Sequence, residues 1–229
     1  MSIWAILVAG GKSERFGGQN KLLANLAGKP VIRWSYDVLC QIPELAGIVV
    51  VGGKQYQACL GDCRWATSGT TRRESVWQGL LQVPSEAEIV LIHDAARPLV
   101  QLKNILAALA PVQNGEAIGT SLGMPVRDTI KQVKIVPLVK GACNAPLTCW
   151  VEATLERSNL WATHTPQVFN KQILLQAHQK APLDRIFPDD ASLVEHLGQP
   201  VLMVQDSPGN LKITVPEDLV IAQALLSRF

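Results

Sequence analysis

Residues Ala9 to Lys21, AGGKSERFGGQNK, hold four glycines, three cations (Lys12, Arg15 and Lys21) and one carboxylate, Glu14. Glycines let backbone N–H groups approach phosphate oxygens, while arginine offers a planar fork and lysine a point charge, so the segment suits a triphosphate. Two familiar phosphate loops are excluded. A Walker loop needs glycine five residues before Gly11, where Ile6 stands, and the adjacency of Gly10 and Gly11 leaves no Gly-x-Gly-x-x-Gly before Gly17. Taken alone, Lys12 and Arg15 read equally well as solvated loop charges.

Other stretches could join this loop. In Leu91-Ile92-His93-Asp94-Ala95-Ala96-Arg97-Pro98 a carboxylate follows directly on a buried strand, where open α/β sheets hold ligands. Asp94 could hold magnesium or a ribose; it could also cap the following helix or pair with Arg97. His93 reads as a strand-end residue satisfied by backbone, and the four histidines show no metal-ligand spacing. Gly69-Thr70-Thr71-Arg72-Arg73-Glu74-Ser75 lies between a strand and a helix, able to read a base edge or simply to cap the helix. Lys212, within the apolar run Leu211 to Thr214, needs an anion from the protein or from a ligand.

The elements that must position these residues follow from hydrophobic periodicity. Strands are expected at 3–8, 47–51, 88–92, 201–204 and 211–214, and helices at 30–40, 74–81, 102–110, 170–180 and 190–197. A final helix is expected to open with Thr214 as N-cap and Glu217 in a capping box. The alternation predicts an α/β fold, a mostly parallel sheet with helices on both faces. From 125 to 157 it breaks: Lys131 to Val136 and Cys149 to Thr154 read as a projecting β-hairpin arm on a single domain spanning 1–229. Apolar residues on such an arm are most simply covered by a second copy of the chain.

Composition narrows the classes. A net charge of +2 with scattered basic residues leaves no footprint for nucleic acid or a membrane surface, so an anionic partner is small and bound locally. No stretch is apolar for long enough to span a bilayer, and no leader pattern opens the chain, so a cytoplasmic protein is expected. Five cysteines (Cys40, Cys59, Cys63, Cys143 and Cys149) without a Cys-x-x-Cys indicate reduced thiols, neither a disulfide framework nor a zinc ribbon.

In order along the chain, the Ala-Gly-Gly loop with Arg15 and Lys21, Gly69 to Ser75, His93 to Pro98, Pro125 to Thr129, Arg157 to Gln167 and Asn210 to Asp218 resemble the 2-C-methyl-D-erythritol 4-phosphate cytidylyltransferases. The resemblance implies a Rossmann-like nucleotidyltransferase fold and transfer of CMP from CTP to a polyol phosphate, with magnesium as cofactor. By position, it implies that Arg15 and Lys21 bind the triphosphate and that Ala9, Gly10, Gly11, Gly69, Thr70, Ser75 and Asp94 hold the rest of CTP. Arg97, Thr129, Thr165 and Lys212 would face the acceptor, with Arg157 reaching across from the second subunit of an arm-swapped homodimer. The chain departs from the family pattern at Gly10, where alanine is usual, at Glu14, where a basic residue is usual, at Pro188, where threonine is frequent, and in a longer segment between Asp128 and Arg157. Two alternatives stand beside this reading: a cytidylyltransferase for another polyol phosphate such as ribitol 5-phosphate, and a catalytically silent nucleotide-binding protein.

Overall fold

Ile3 to Val8 is apolar at every position, as a strand covered on both faces must be. In the computed structural model, which describes residues 1–11, 13–136 and 148–227, this strand lies inside the main sheet with a parallel neighbour on each side. The strands are β1 (Ile3–Val8), β2 (Asn25–Leu26), β3 (Lys29–Pro30), β4 (Leu45–Val51), β5 (Arg64–Ala66), β6 (Ile89–Asp94), β7 (Gly119–Pro125), β8 (Lys131–Val136), β9 (Thr148–Thr154), β10 (Trp161–Asn170) and β11 (Leu202–Gln205). The helices are α1 (Val31–Leu39), α2 (Arg72–Leu80), α3 (Leu102–Gln113), α4 (Lys171–Lys180), α5 (Asp190–His196) and α6 (Pro216–Leu226).

Seven strands form one sheet in the order β11-β7-β10-β6-β1-β4-β5, all running the same way except β10. Alternate residues of β1 serve opposite faces: Ile3, Ala5 and Leu7 pack with α1, α3 and α6, and Trp4 and Ile6 with α2, α4 and α5. The mostly parallel sheet covered by helices on both sides is therefore as expected. The chain passes from β1 outward through β4 to β5, then returns to lay β6 on the other side of β1. That reversal opens a crevice at the carboxyl ends of the strands. Val8 pairs with both Val51 and Asp94, so the ends of β1, β4 and β6 are level and their following loops meet there.

Several elements differ from expectation. The buried β7 and the long β10 carry no β-branched run, and periodicity alone does not reveal them. Residues 211–214 do not form a strand: this segment is anchored by the Ile213 N–H donating to the Ala96 carbonyl at 2.8 Å. The last helix is capped one residue later than expected. Val215 is its N-cap, and Asp218, not Glu217, reaches back to accept the N–H groups of Thr214 (2.7 Å) and Val215 (3.0 Å). Helix α3 runs on through Pro111, which falls in its last turn. The expected hairpin is present as β8 paired antiparallel with β9, and residues 137–147 between them lie outside the described residues, as does Lys12.

Candidate active site

The loop after β1 begins with the Ala9 N–H still bonded to the Val51 carbonyl at 2.8 Å. It then turns through Ser13 (φ 54°), a single 3-10 turn over Glu14–Phe16 and Gly17 (φ 67°), with Phe16 buried beneath as its anchor. Gly10 is fitted closely: a Cβ there would lie 2.5 Å from Ser68 Oγ. Opposite, a Cβ on Gly69 would meet Glu74 Cβ at 2.2 Å, so only glycine lets the strand-to-helix turn close. Thr71 caps α2 by accepting the Glu74 N–H (3.1 Å), and Ser75 Oγ accepts the Gly69 N–H (3.1 Å) while donating to the Thr71 carbonyl (2.9 Å). The stretch is thus a helix cap whose Gly69, Thr70 and Ser75 also line the space between the two loops.

Between these walls lies a cleft of about 570 Å³. It brings together Ala9, Gly10, Gly11, Arg15, Lys21, Gly69, Thr70, Ser75, Asp94 and Lys212, residues drawn from both ends of the sequence. Lys212 finds its anion in Asp94, donating from Nζ to Oδ2 at 2.7 Å, and Arg72 Nε donates to Oδ1 at 3.2 Å. Asp94 therefore pairs with neither Arg97 nor a helix end. Burial alone would raise the Asp94 carboxyl, but Arg72 and Lys212 outweigh it and hold the group well below the usual carboxylate range. Lys21 is half-buried and donates to the Ile213 carbonyl at 2.7 Å. Burial first, then the charge of Lys212, lowers its pKa, with Asp94 offsetting part. Four cations, Arg15, Lys21, Arg72 and Lys212, thus line the cleft with two carboxylates, Asp94 and Glu14. Such crowding favours a polyanionic ligand.

The remaining candidates lie elsewhere. Arg97 is buried and donates Nη1–H to the Asn210 carbonyl at 2.7 Å, bracing the segment that carries Lys212. Thr165 is buried behind the cleft, its Oγ1 accepting the Asp94 N–H at 3.0 Å and contacting His93 Nδ1 at 3.2 Å. His93 completes its bonding through Nε2 to the Arg97 carbonyl at 3.2 Å and is a structural residue, as expected. Thr129 is exposed at the base of the arm, and Arg157 donates to the Arg127 carbonyl; neither lines the cleft of its own chain. Sequence reasoning gave no role to Arg72, which lines the cleft and ties Asp94 to Asp190 Oδ2 (Nη1–O 2.8 Å). Its partners stand 22 and 118 residues away, and no local pattern marks them. Among the described residues no cluster of three or more His, Cys, Asp or Glu could hold a metal unaided.

A Rossmann-like sheet with a glycine-rich cationic loop after its first strand, facing a carboxylate at the switch point, defines a nucleotidyltransferase of the α/β class. The model of one family, 2-C-methyl-D-erythritol 4-phosphate cytidylyltransferase, matches residues 3–228, and the chain belongs to that family. A relative of that name from Desulforamulus reducens is 37% identical over 240 residues, 99% of this chain and 97% of the relative. The solved 4-diphosphocytidyl-2C-methyl-D-erythritol synthase of Anaerococcus prevotii shares the fold with a TM-score of 0.81 at 24% identity, over 99% of this chain and 96% of that one. The solved 2-C-methyl-D-erythritol 4-phosphate cytidylyltransferase of Thermus thermophilus superposes with a TM-score of 0.77 at 27% identity, over 99% and 100% of the two chains.

Proposed function

We propose that this chain transfers CMP from CTP to 2-C-methyl-D-erythritol 4-phosphate, releasing pyrophosphate and forming 4-diphosphocytidyl-2-C-methyl-D-erythritol, a step of non-mevalonate isoprenoid synthesis. The observation that carries the reading is the convergence of Arg15, Lys21 and Lys212 on one cleft whose opposite wall is the Gly69–Ser75 turn. In this reading the loop backbone at Ala9, Gly10 and Gly11 and the cations Arg15 and Lys21 take the triphosphate. Gly69, Thr70 and Ser75 take cytosine, and Asp94 takes the ribose.

A phosphate oxygen of the acceptor attacks the α-phosphorus, the bond to the bridging oxygen breaks, and pyrophosphate leaves with its electron pair. A phosphate monoester dianion needs no general base, so the protein's task is to align two anions and neutralise their repulsion. Lys21 and Arg15 sit where charge builds on the pentavalent phosphorus and the departing pyrophosphate. Lys212, once exchanged from Asp94, meets the acceptor phosphate. A protein-only metal site does not fit the donors present, whereas magnesium held mainly by phosphate oxygens does, because that ion takes only one or two carboxylates. Asp94 would be its protein ligand, and the ion would neutralise triphosphate charge. Chelation should abolish turnover and added magnesium restore it.

Arg97, Thr129 and Thr165 complete the acceptor side in this reading, and Arg157 serves the site of a second subunit. The hairpin supports a homodimer: Trp150 is 67% and Val151 60% exposed, apolar surface that a partner's arm would cover. No described helix is long and apolar enough to cross a membrane. We place the reaction in the cytoplasm, in keeping with the free Cys40, Cys59, Cys63 and Cys149. The test is pyrophosphate release from CTP and magnesium with either methylerythritol 4-phosphate or ribitol 5-phosphate. Release with the first acceptor alone supports the proposal. Release with the second alone moves the specificity to another polyol phosphate, and release with neither leaves a silent nucleotide-binding protein.

A further inference from the structure

Asp190 opens α5 and is completely buried. Its Oδ2 accepts from Arg72 Nη1, but its Oδ1 has no hydrogen-bond donor and faces His178 Nε2, itself unbonded, at 4.0 Å. A buried carboxylate left half-satisfied is costly, so helix packing does not account for a charge at this position. Among the described residues its one close cationic partner is Arg72, whose other edge meets Asp94. A guanidinium is planar and rigid, so fixing Nη1 fixes the direction in which Nε points. Asp190 is itself fixed to the sheet: its N–H and that of Ala191 donate to Gln167 Oε1 at 3.0 and 3.2 Å, and Gln167 is a buried residue of β10.

We infer that Asp190 is a positioning residue of the nucleotide cleft: acting through Arg72, it sets the orientation in which the Asp94 carboxylate meets the sugar of the bound nucleotide. The inference rests on the reading of the cleft as a CTP site. Asp190, Arg72, Asp94 and Lys212 form a line of alternating charge whose sum is zero. Replacing Asp190 by asparagine therefore leaves the cleft one charge more positive and exchanges the charge-assisted bond to Arg72 Nη1 for a weaker neutral one, loosening the far edge of Arg72. A ligand that needs only positive charge should bind as well or better, whereas one that needs Asp94 correctly turned should bind worse. A residue that merely held α5 in place would not separate the two.

The experiment measures dissociation constants for CTP and for pyrophosphate, with magnesium, in wild type and Asp190→Asn. CTP affinity should fall about tenfold, the loss of roughly one oriented hydrogen bond, while pyrophosphate binding is unchanged or tighter. Unchanged CTP affinity, or equal weakening of both ligands, overturns the inference. Arg72→Lys keeps the charge but has no fork to bridge two carboxylates, so it should show the same separation and serves if Asp190→Asn does not fold. In ligand-free, nitrogen-labelled protein the Arg72 Nε–H resonance should move in Asp190→Asn. A resonance that stays put overturns the coupling by itself. A wild type that binds no CTP, with a resonance that moves, overturns the reading of the cleft and leaves the coupling standing.

Discussion

Lowering the pH from 7.5 to 5 should destabilise this protein through two buried imidazoles. His93 lies in the sheet between Thr165 and the Arg97 carbonyl, and burial, only partly offset by Asp94, lowers its pKa to about 4. His178 stacks on Trp77 with ring centroids 5.7 Å apart. Burial, then the charges of Arg73 and Arg72, lowers it likewise to about 4. An unfolded histidine titrates near 6.5. Between those values the unfolded chain binds protons that the folded one refuses, so stability is complete above about pH 6.5 and is lost as pH falls toward 4. At pH 5, roughly 1.5 pH units below the unfolded value, each imidazole costs about 2 kcal/mol, or about 4 kcal/mol for the pair. Asp94 does not add to this, because its depressed pKa matters only below about pH 4. Asp190 opposes it: burial raises its pKa, so the penalty of its charge is relieved as it protonates. Against a total stability of roughly 5–15 kcal/mol the loss is large, and for a chain of this size it lowers the melting temperature by on the order of 10 °C. Urea unfolding at pH 7.5, 6.5, 5.5 and 5, on wild type and His178→Asn, measures it, and the variant should show about half the slope. A stability flat over this range in wild type would refute the claim that the fold keeps these imidazoles neutral.

Other outcomes follow from the cleft. Lys21→Ala removes the preorganised donor proposed above to face the triphosphate and should lower kcat/KM by on the order of 100- to 1,000-fold; a single-turnover assay of pyrophosphate release decides it, and near-normal rates would remove Lys21 from the chemistry. Lys212→Ala should raise the KM for the acceptor more than that for CTP, and equal increases would break the division of the site proposed above. Gly10→Ala, the alanine usual in the family, should impair CTP binding here because its Cβ would stand 2.5 Å from Ser68 Oγ and 2.7 Å from Ser68 Cβ. Adding Ser68→Gly should restore it, and additive losses in the double variant would show that the clash was relieved some other way.

What the sequence made legible is what local patterns encode. The run of β1, the cationic glycine loop after it and a helix cap within Gly69–Ser75 each declare themselves within about a dozen residues and lie where they were expected, although the helix opens two residues before the expected 74. β7 was not legible because a strand in mid-sheet can be built of Gly, Thr and Ser when their hydroxyls have partners. Thr120 Oγ1 donates to the Ala108 carbonyl at 2.7 Å, and Ser121 Oγ accepts from Gln167 Nε2 at 3.0 Å. Residues 211–214 misled in the opposite direction: apolar alternation suggested a strand, but the segment is held by the backbone bond of Ile213 to Ala96 and, just before it, by the side chain of Asn210, whose Nδ2 donates to Asp206 Oδ2 (2.6 Å) and to the Thr165 carbonyl (2.9 Å). Arg72 was on the page as a residue and invisible as a link, since its meaning depends on Asp94 and Asp190, which only tertiary structure brings near.

The bonds from Lys21 to Ile213 and from Lys212 to Asp94 span 192 and 118 residues of chain. During synthesis, a ribosome that has released residues 1–205 has delivered all seven strands of the sheet. The nascent protein would still have no floor to its cleft: Asp94 would lack Lys212, Lys21 would lack the Ile213 carbonyl, and Ile213 and Ala222 would be missing from the core. Competence to hold a nucleotide therefore arrives last, after the sheet, when the final segment closes across the opening made by the first.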